Sequence, residues 1–118
     1  MAATKTAKTL YGAAQLAGAA NVNASEWNLS TAYGGLATVK ITNGATAPTA
    51  APVVKFYVGE ATGVKRLLYQ VTGDTVNSSV TDLVCEVPAS AMFVNINMAN
   101  LGGNAITVEA YGQELTTI

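Results

Sequence analysis

The stretch Ala37-Thr38-Val39-Lys40-Ile41-Thr42 sets three apolar side chains, Ala37, Val39 and Ile41, against Thr38, Lys40 and Thr42. Successive side chains of extended backbone point to opposite sides, so this period of two marks a strand with one face buried and one wet. The same alternation recurs downstream. Val54, Phe56 and Val58 alternate with Val53, Lys55 and Tyr57, and Leu67, Tyr69 and Val71 with Arg66, Leu68 and Gln70. Leu83, Cys85 and Val87 alternate with Asp82, Val84 and Glu86, and Met92, Val94, Ile96 and Met98 with Phe93, Asn95 and Asn97. Ile106, Val108 and Ala110 end the series opposite Thr107, Glu109 and Tyr111. No run carries a helical stripe.

The residues between the runs agree. Asn43-Gly44, Gly73-Asp74, Pro88 and Gly102-Gly103-Asn104 are turn chemistry, and Pro48 and Pro52 bracket a connection that cannot be a central strand. Upstream, Ala13–Ala19 and Val22–Leu29 read as two weaker, Ala-rich strands. A helix over Ala13–Ala20 competes, but Gly12, Gly18 and Asn21-Val22-Asn23 disrupt it. The expected fold is all-β: an antiparallel β-sandwich or jelly roll of about eight strands. Its expected core includes Val39, Ile41, Phe56, Val58, Val94, Ile96 and Val108.

The chain has 118 residues, which suits one domain. Residues 1–9 are too polar to bury anything and are expected to form an extended N-terminal arm before a β-sandwich domain over 10–118. Lys5 and Lys8 ahead of Leu10–Ala20 give a faint export-signal pattern. Gly12, Gln15 and Gly18 interrupt it, and an arm with a first weak strand is the expected reading.

Only 11% of residues are charged and the net charge is −1, so repulsion between copies is weak. There is no His and one Cys. Triads, Cys-His dyads, His-ligated metals, internal disulfides and multi-cysteine metal sites are therefore out of reach. Six Lys and Arg scattered along the chain make no basic stripe, so no nucleic-acid partner is expected. No apolar run reaches the roughly 20 residues that span a bilayer, so no membrane partner is expected.

The remaining candidates for chemistry are thin. Asp82 and Glu86 share a strand face about 13 Å apart, beyond the roughly 5–9.5 Å of a glycosidase pair, and read as a solvated face. Gly73-Asp74-Thr75-Val76-Asn77 offers oxygen ligands for Ca²⁺ but few carboxylates, and reads as a polar hairpin loop. Cys85, between Leu83 and Val87, reads as a small buried hydrophobe without a base to activate it. Neither Gly34-Gly35 nor Gly102-Gly103 precedes a helix pattern, so neither makes a phosphate loop. The sequons at Asn23, Asn28 and Asn77 are what so Asn/Ser-rich a chain gives by chance. No catalytic residue, metal or cofactor is expected. Trp27, Tyr33, Tyr57, Phe93 and Tyr111 are the candidate interface or ligand aromatics, since rings on a sheet face stack on sugars or pack at subunit contacts.

Three stretches resemble small phage-encoded virion proteins: Trp27-Asn28-Leu29-Ser30-Thr31-Ala32-Tyr33-Gly34-Gly35, Ile41-Thr42-Asn43-Gly44-Ala45-Thr46-Ala47-Pro48-Thr49, and Ile106-Thr107-Val108-Glu109-Ala110-Tyr111-Gly112-Gln113-Glu114-Leu115. The Ala/Thr/Val/Gly-rich, nearly charge-free composition is similar too. The resemblance implies a structural protein of a bacteriophage virion, assembled in the host cytoplasm. It also implies capsid decoration (cement) as the role, with the major capsid protein or another virion protein as partner. The expected state is a homo-oligomer, a trimer on the three-fold positions of a shell, its arm crossing onto a neighbouring chain or a capsid protein. The alternative is a carbohydrate- or receptor-binding β-sandwich of a phage tail, baseplate or fibre, which aligned aromatics with amide or acidic partners on one face would favour.

Overall fold

A computed structural model describes residues 4–117. Nine strands run in chain order: β1 (Thr4–Leu16), β2 (Asn21–Asn23), β3 (Trp27–Asn28), β4 (Gly35–Asn43), β5 (Val53–Gly59), β6 (Arg66–Thr72), β7 (Val80–Val87), β8 (Phe93–Ala99) and β9 (Ile106–Thr117). They form two sheets, ordered β1-β9-β4-β7 and β2-β8-β5-β6, with the two-residue β3 also on β8. Every pairing is antiparallel. Apart from β3 and the β5–β6 hairpin, the chain alternates between the sheets, which is the order of a jelly roll, the architecture that alternation and turn chemistry lead one to expect. The six strong runs become β4 to β9, and the two weak Ala-rich ones resolve into β1, β2 and β3.

Alternation decides what lies inside. Ala37, Val39 and Ile41 of β4 meet Val108 and Ala110 of β9 in one sheet, facing Val54, Phe56, Val94, Ile96 and Met98 of the other. Of the core expected from sequence, only Val58 is half-exposed. Three other residues assigned inward are corrected: Leu67, Tyr69 and Met92 are exposed. Leu67 and Tyr69 sit on β6, the last strand of its sheet: a register shift turns Leu67 to the outer face opposite Tyr57, and Tyr69, opposite Phe56, lies at the open edge of the inward face. Met92 precedes β8 and lies outside the sandwich.

Residues 4–9 of the expected arm are extended, and all their side chains are exposed. They lie along β9 of the same chain, from Thr4 opposite Thr117 to Thr9 opposite Tyr111, and residues 1–3 fall outside the described residues. The register breaks between Thr9 and Tyr11, and Leu10 is the first buried side chain. Two polar hubs fix the loops. Asn100 donates to the Leu16 and Asn104 carbonyls at 3.2 and 2.7 Å and accepts from Gly102 N. Asn43 donates to the Asp74 carboxylate at 2.9 Å and to the Val76 carbonyl at 2.9 Å.

Candidate docking surface

The five aromatics singled out from sequence do not form one array. Trp27 is 2% exposed, a correction to its place among surface rings. It pairs with Val94 at an inward position of β3, and its ring lies against Gly112 on β9. Tyr33 is exposed in the loop before β4, with its backbone N–H donating to the Leu115 carbonyl at 2.7 Å. Tyr111 lies on the outer face of the β1-β9-β4-β7 sheet and donates its hydroxyl to Glu109 Oε1 at 2.9 Å. Tyr57 and Phe93, both half-buried, share the outer face of the other sheet. Amides surround them: Asn95 stands opposite Tyr57, Asn97 donates to Asn23 at 2.9 Å, and Asn95 donates to Glu26 at 3.1 Å.

A different surface gathers the exposed apolar side chains. β6 and β7 are the outermost strands of their sheets on one flank of the sandwich, joined by the loop after Thr72. On β6, Tyr69, opposite Phe56, points toward the gap between the sheets yet is 48% exposed, and Leu67, opposite Tyr57 on the outer face, is 57% exposed. Leu68 joins them through the register shift between Phe56 and Tyr57, which leaves β6 with an extra residue. On β7, Val80 and Val84 are 53% and 50% exposed, alternating along the outer face with Asp82 and Glu86. A groove of about 330 Å³ lies between the strands, lined by Leu68, Tyr69, Val84, Cys85 and Glu86. The Tyr69 ring closes its floor by stacking on buried Phe56, with centroids 6.4 Å apart. Two strands with free hydrogen-bonding edges and uncovered Leu, Tyr and Val are what soluble proteins ordinarily blunt or cover.

Charges of both signs border this flank, and Lys40 of β4 stands opposite Asp82 of β7. β7 carries Asp82 and Glu86 and no basic residue; β6 begins at Arg66, preceded by Lys65, and contains no acidic residue. Arg66 is held by Glu60, with Nη2 to Oε1 at 2.6 Å and Nε to Oε2 at 3.1 Å. That bond raises the guanidinium's affinity for its proton and lowers the Glu60 pKa to about 2.

The other chemical candidates are occupied structurally. Asp74 accepts from Asn43, Val76 N, Ser79 Oγ and Thr81 Oγ1 at 2.9, 3.1, 2.8 and 3.3 Å. The Ser79 bond, then the Val76 bond, hold its pKa below the ordinary 3.8. The carboxylate thus organises the loop with its own oxygens engaged, as the polar-loop reading expects. Cys85 is buried, its thiol donates weakly to the Glu86 carbonyl at 3.7 Å, and burial pushes its pKa up. Asp82 and Glu86 are exposed on one face of β7.

Sequence reading missed the flank because alternation placed Leu67 and Tyr69 in the core. A signal was present: Leu67-Leu68-Tyr69 is apolar on both faces, and Val80 and Val84 occupy the nominally polar face of β7. A strand apolar on both sides asks for cover on both sides.

No family model and no curated protein matches the chain. Among solved structures it is similar to a subunit of Bacillus endospore appendages, described as disulfide-linked pili, at 13% identity and TM-score 0.53, covering 100% of this chain and 93% of that one. It is similar to the SPBc2 prophage-derived protein YomS at 18% identity and TM-score 0.53, covering 96% of each chain. A family 29 carbohydrate-binding module aligns at 12% identity and TM-score 0.54, over 97% of this chain and 87% of that one. At these identities the likeness is one of fold: the chain is a β-sandwich of a shape shared by surface, prophage and glycan-binding proteins.

Proposed function

We propose that the chain is a structural virion protein, a capsid decoration (cement) protein that clamps a phage shell as a closed homo-oligomer, a trimer, and catalyses no reaction. The observation that carries this reading is the uncovered apolar flank of β6 and β7. Full burial of a Leu, Val or Tyr-sized side chain is worth roughly 1.5–3 kcal/mol. Five such side chains, each about half of the way there, make the gain on two facing surfaces comparable to the ~4–15 kcal/mol that association costs. A net charge of −1 on 118 residues adds little repulsion. The jelly roll is used by viral shell domains and by lectins, so the architecture supports the reading without choosing it. The likeness to a prophage-derived protein supports it in the same measure.

The arm has a place in this account. β9 satisfies one edge of Thr4–Thr9, and the other edge of β1, the outermost strand of its sheet, stays open to a strand of the shell protein. The test compares phage particles made with and without the gene for this chain. Expected are many copies per particle by mass spectrometry, release of DNA at lower temperature without the chain, and recovery when purified protein is added back. Particles that lack the chain, or whose heat stability ignores it, would contradict the proposal.

One observation favours a second reading, glycan binding. Tyr57 and Phe93 share a sheet face with Asn23, Asn95 and Asn97, and amides beside a ring suit sugar hydroxyls and apolar sugar faces. Retention on immobilised polysaccharide that is lost in Tyr57→Ala would support it, and passage of the intact protein without retention would remove it.

A further inference from the structure

We propose that the outer face of the β2-β8-β5-β6 sheet takes an acidic glycan, with the carboxylate of a uronic acid held by Lys55 among the amides of its neighbours. This rests on the glycan-binding reading above and names the sugar class at that same face. Three observations carry it.

The first is register. Pairing sets Asn23 beside Asn97, Asn97 beside Lys55, and Lys55 beside Gln70, one residue from each of the four strands. The row crosses three strand spacings, roughly 14 Å at 4.7–4.9 Å each. Phe56 is fully buried between Lys55 and Tyr57, so these two share the outer face, and Asn95 stands beside Tyr57 in the next row. An ammonium with an amide on either side gives donors to a carboxylate and to hydroxyls, and the ring one row away gives a flat surface to a sugar.

The second is charge. Strands β2, β5, β6 and β8 carry no Asp or Glu, and their cations are Lys55 and Arg66. Arg66 is tied to Glu60, whereas Lys55 makes no ion pair among the described residues. The strand carboxylates Asp82, Glu86, Glu109 and Glu114 all belong to the other sheet. At the edge of the face, Glu26 Oε2 is occupied by Gly63 N at 3.0 Å and Asn95 Nδ2 at 3.1 Å, with Lys65 as its nearby cation. The centre of the face is therefore an uncharged polar floor with one free positive charge, complementary to an anionic sugar and not to a cationic one. The third is preorganisation. Asn97 is held toward β2 by bonds to Asn23 and Asn21, at 2.9 and 3.4 Å, and Asn95 is held by Glu26. Amides fixed before a ligand arrives lose less freedom when it binds.

Affinity electrophoresis reads the outcome, in gels cast with polygalacturonate or with the same polymer after its carboxyls are reduced to alcohols. The chain carries a net charge of −1, so a polyanion does not attract it as a whole. The intact protein is expected to bind polygalacturonate about two- to fivefold more tightly than the reduced polymer, the worth of an exposed ion pair, and to lose that margin at high salt. Lys55→Gln is expected to bind both polymers alike. Lys40→Gln, the same change of charge on the outer face of the other sheet, is expected to keep the preference, and circular dichroism checks that both variants are folded. Equal binding of both polymers by the intact chain, a preference that survives Lys55→Gln, or an equal loss in Lys40→Gln would overturn the acidic-sugar assignment and leave the glycan-binding reading standing. An intact chain retained by neither polymer would overturn both.

Discussion

Gly112 is the position where one added carbon should be felt most. It sits on β9 beneath the Trp27 ring, and a Cβ built there lies 2.8 Å from Cη2 and Cζ2 and 3.0 Å from Cε2. Carbon atoms pack at about 3.5–4.0 Å, so the methyl of Gly112→Ala intrudes by roughly 0.7–1 Å on several ring atoms at once. Trp27 is almost fully enclosed, which leaves the ring no solvent to swing into. Overpacking of this kind costs about 1–3 kcal/mol. In a domain of this size each kcal/mol moves the melting midpoint by roughly 3–6 °C, so a fall of about 3–18 °C is expected. Trp27 is the chain's one tryptophan, and its emission reports both the melt and the native packing. Trp27→Phe vacates part of the space, so the double variant should lose clearly less than the two single losses combined. A Gly112→Ala protein with unchanged midpoint and emission, or losses that add in the double variant, would refute the packing argument.

Other outcomes follow from the same structure. Phe56→Ala removes a fully buried ring and the platform beneath Tyr69, and should cost about 3–5 kcal/mol in denaturant unfolding. The folded state holds the Asp74 pKa down, so its contribution is in place above the ordinary 3.8 and is lost as pH falls below that value. The melting midpoint of Asp74→Asn should therefore trail the parent at about pH 6 and converge with it in acid, and a gap that widens in acid would reverse the sign. Burial raises the Cys85 pKa, so a thiol reagent should label the native protein slowly and the unfolded protein fast, with Cys85→Ala only modestly less stable. Ala19 holds φ at 60°, so Ala19→Gly should raise the midpoint slightly despite the greater freedom of the unfolded chain.

Much of the fold was legible because alternation is a local signal. The runs at β4, β5, β8 and β9 carry buried aliphatics every second residue, and the turns between them use Asn, Gly and Pro. What escaped depends on partners distant in sequence. Thr4–Thr9 carries no apolar pattern and is a strand only because β9 offers it a backbone edge more than a hundred residues away. Trp27 belongs to a two-residue strand, too short for any period to show which way its ring turns. Leu67 is turned outward by a bulge that alternation does not reveal, and Tyr69 takes the inward face as alternation expects, but alternation does not tell whether another layer covers it. The candidate surface arises from that last gap, since it is made of side chains with core chemistry at the uncovered edge of a sheet.

The most direct test of the account is the native mass of the purified chain by light scattering across a range of concentrations. A closed species near three times the 12.0 kDa of one chain, stable on dilution, is expected. A single species at 12.0 kDa that persists at the highest concentrations, with the β6–β7 flank still open to solvent, would contradict it.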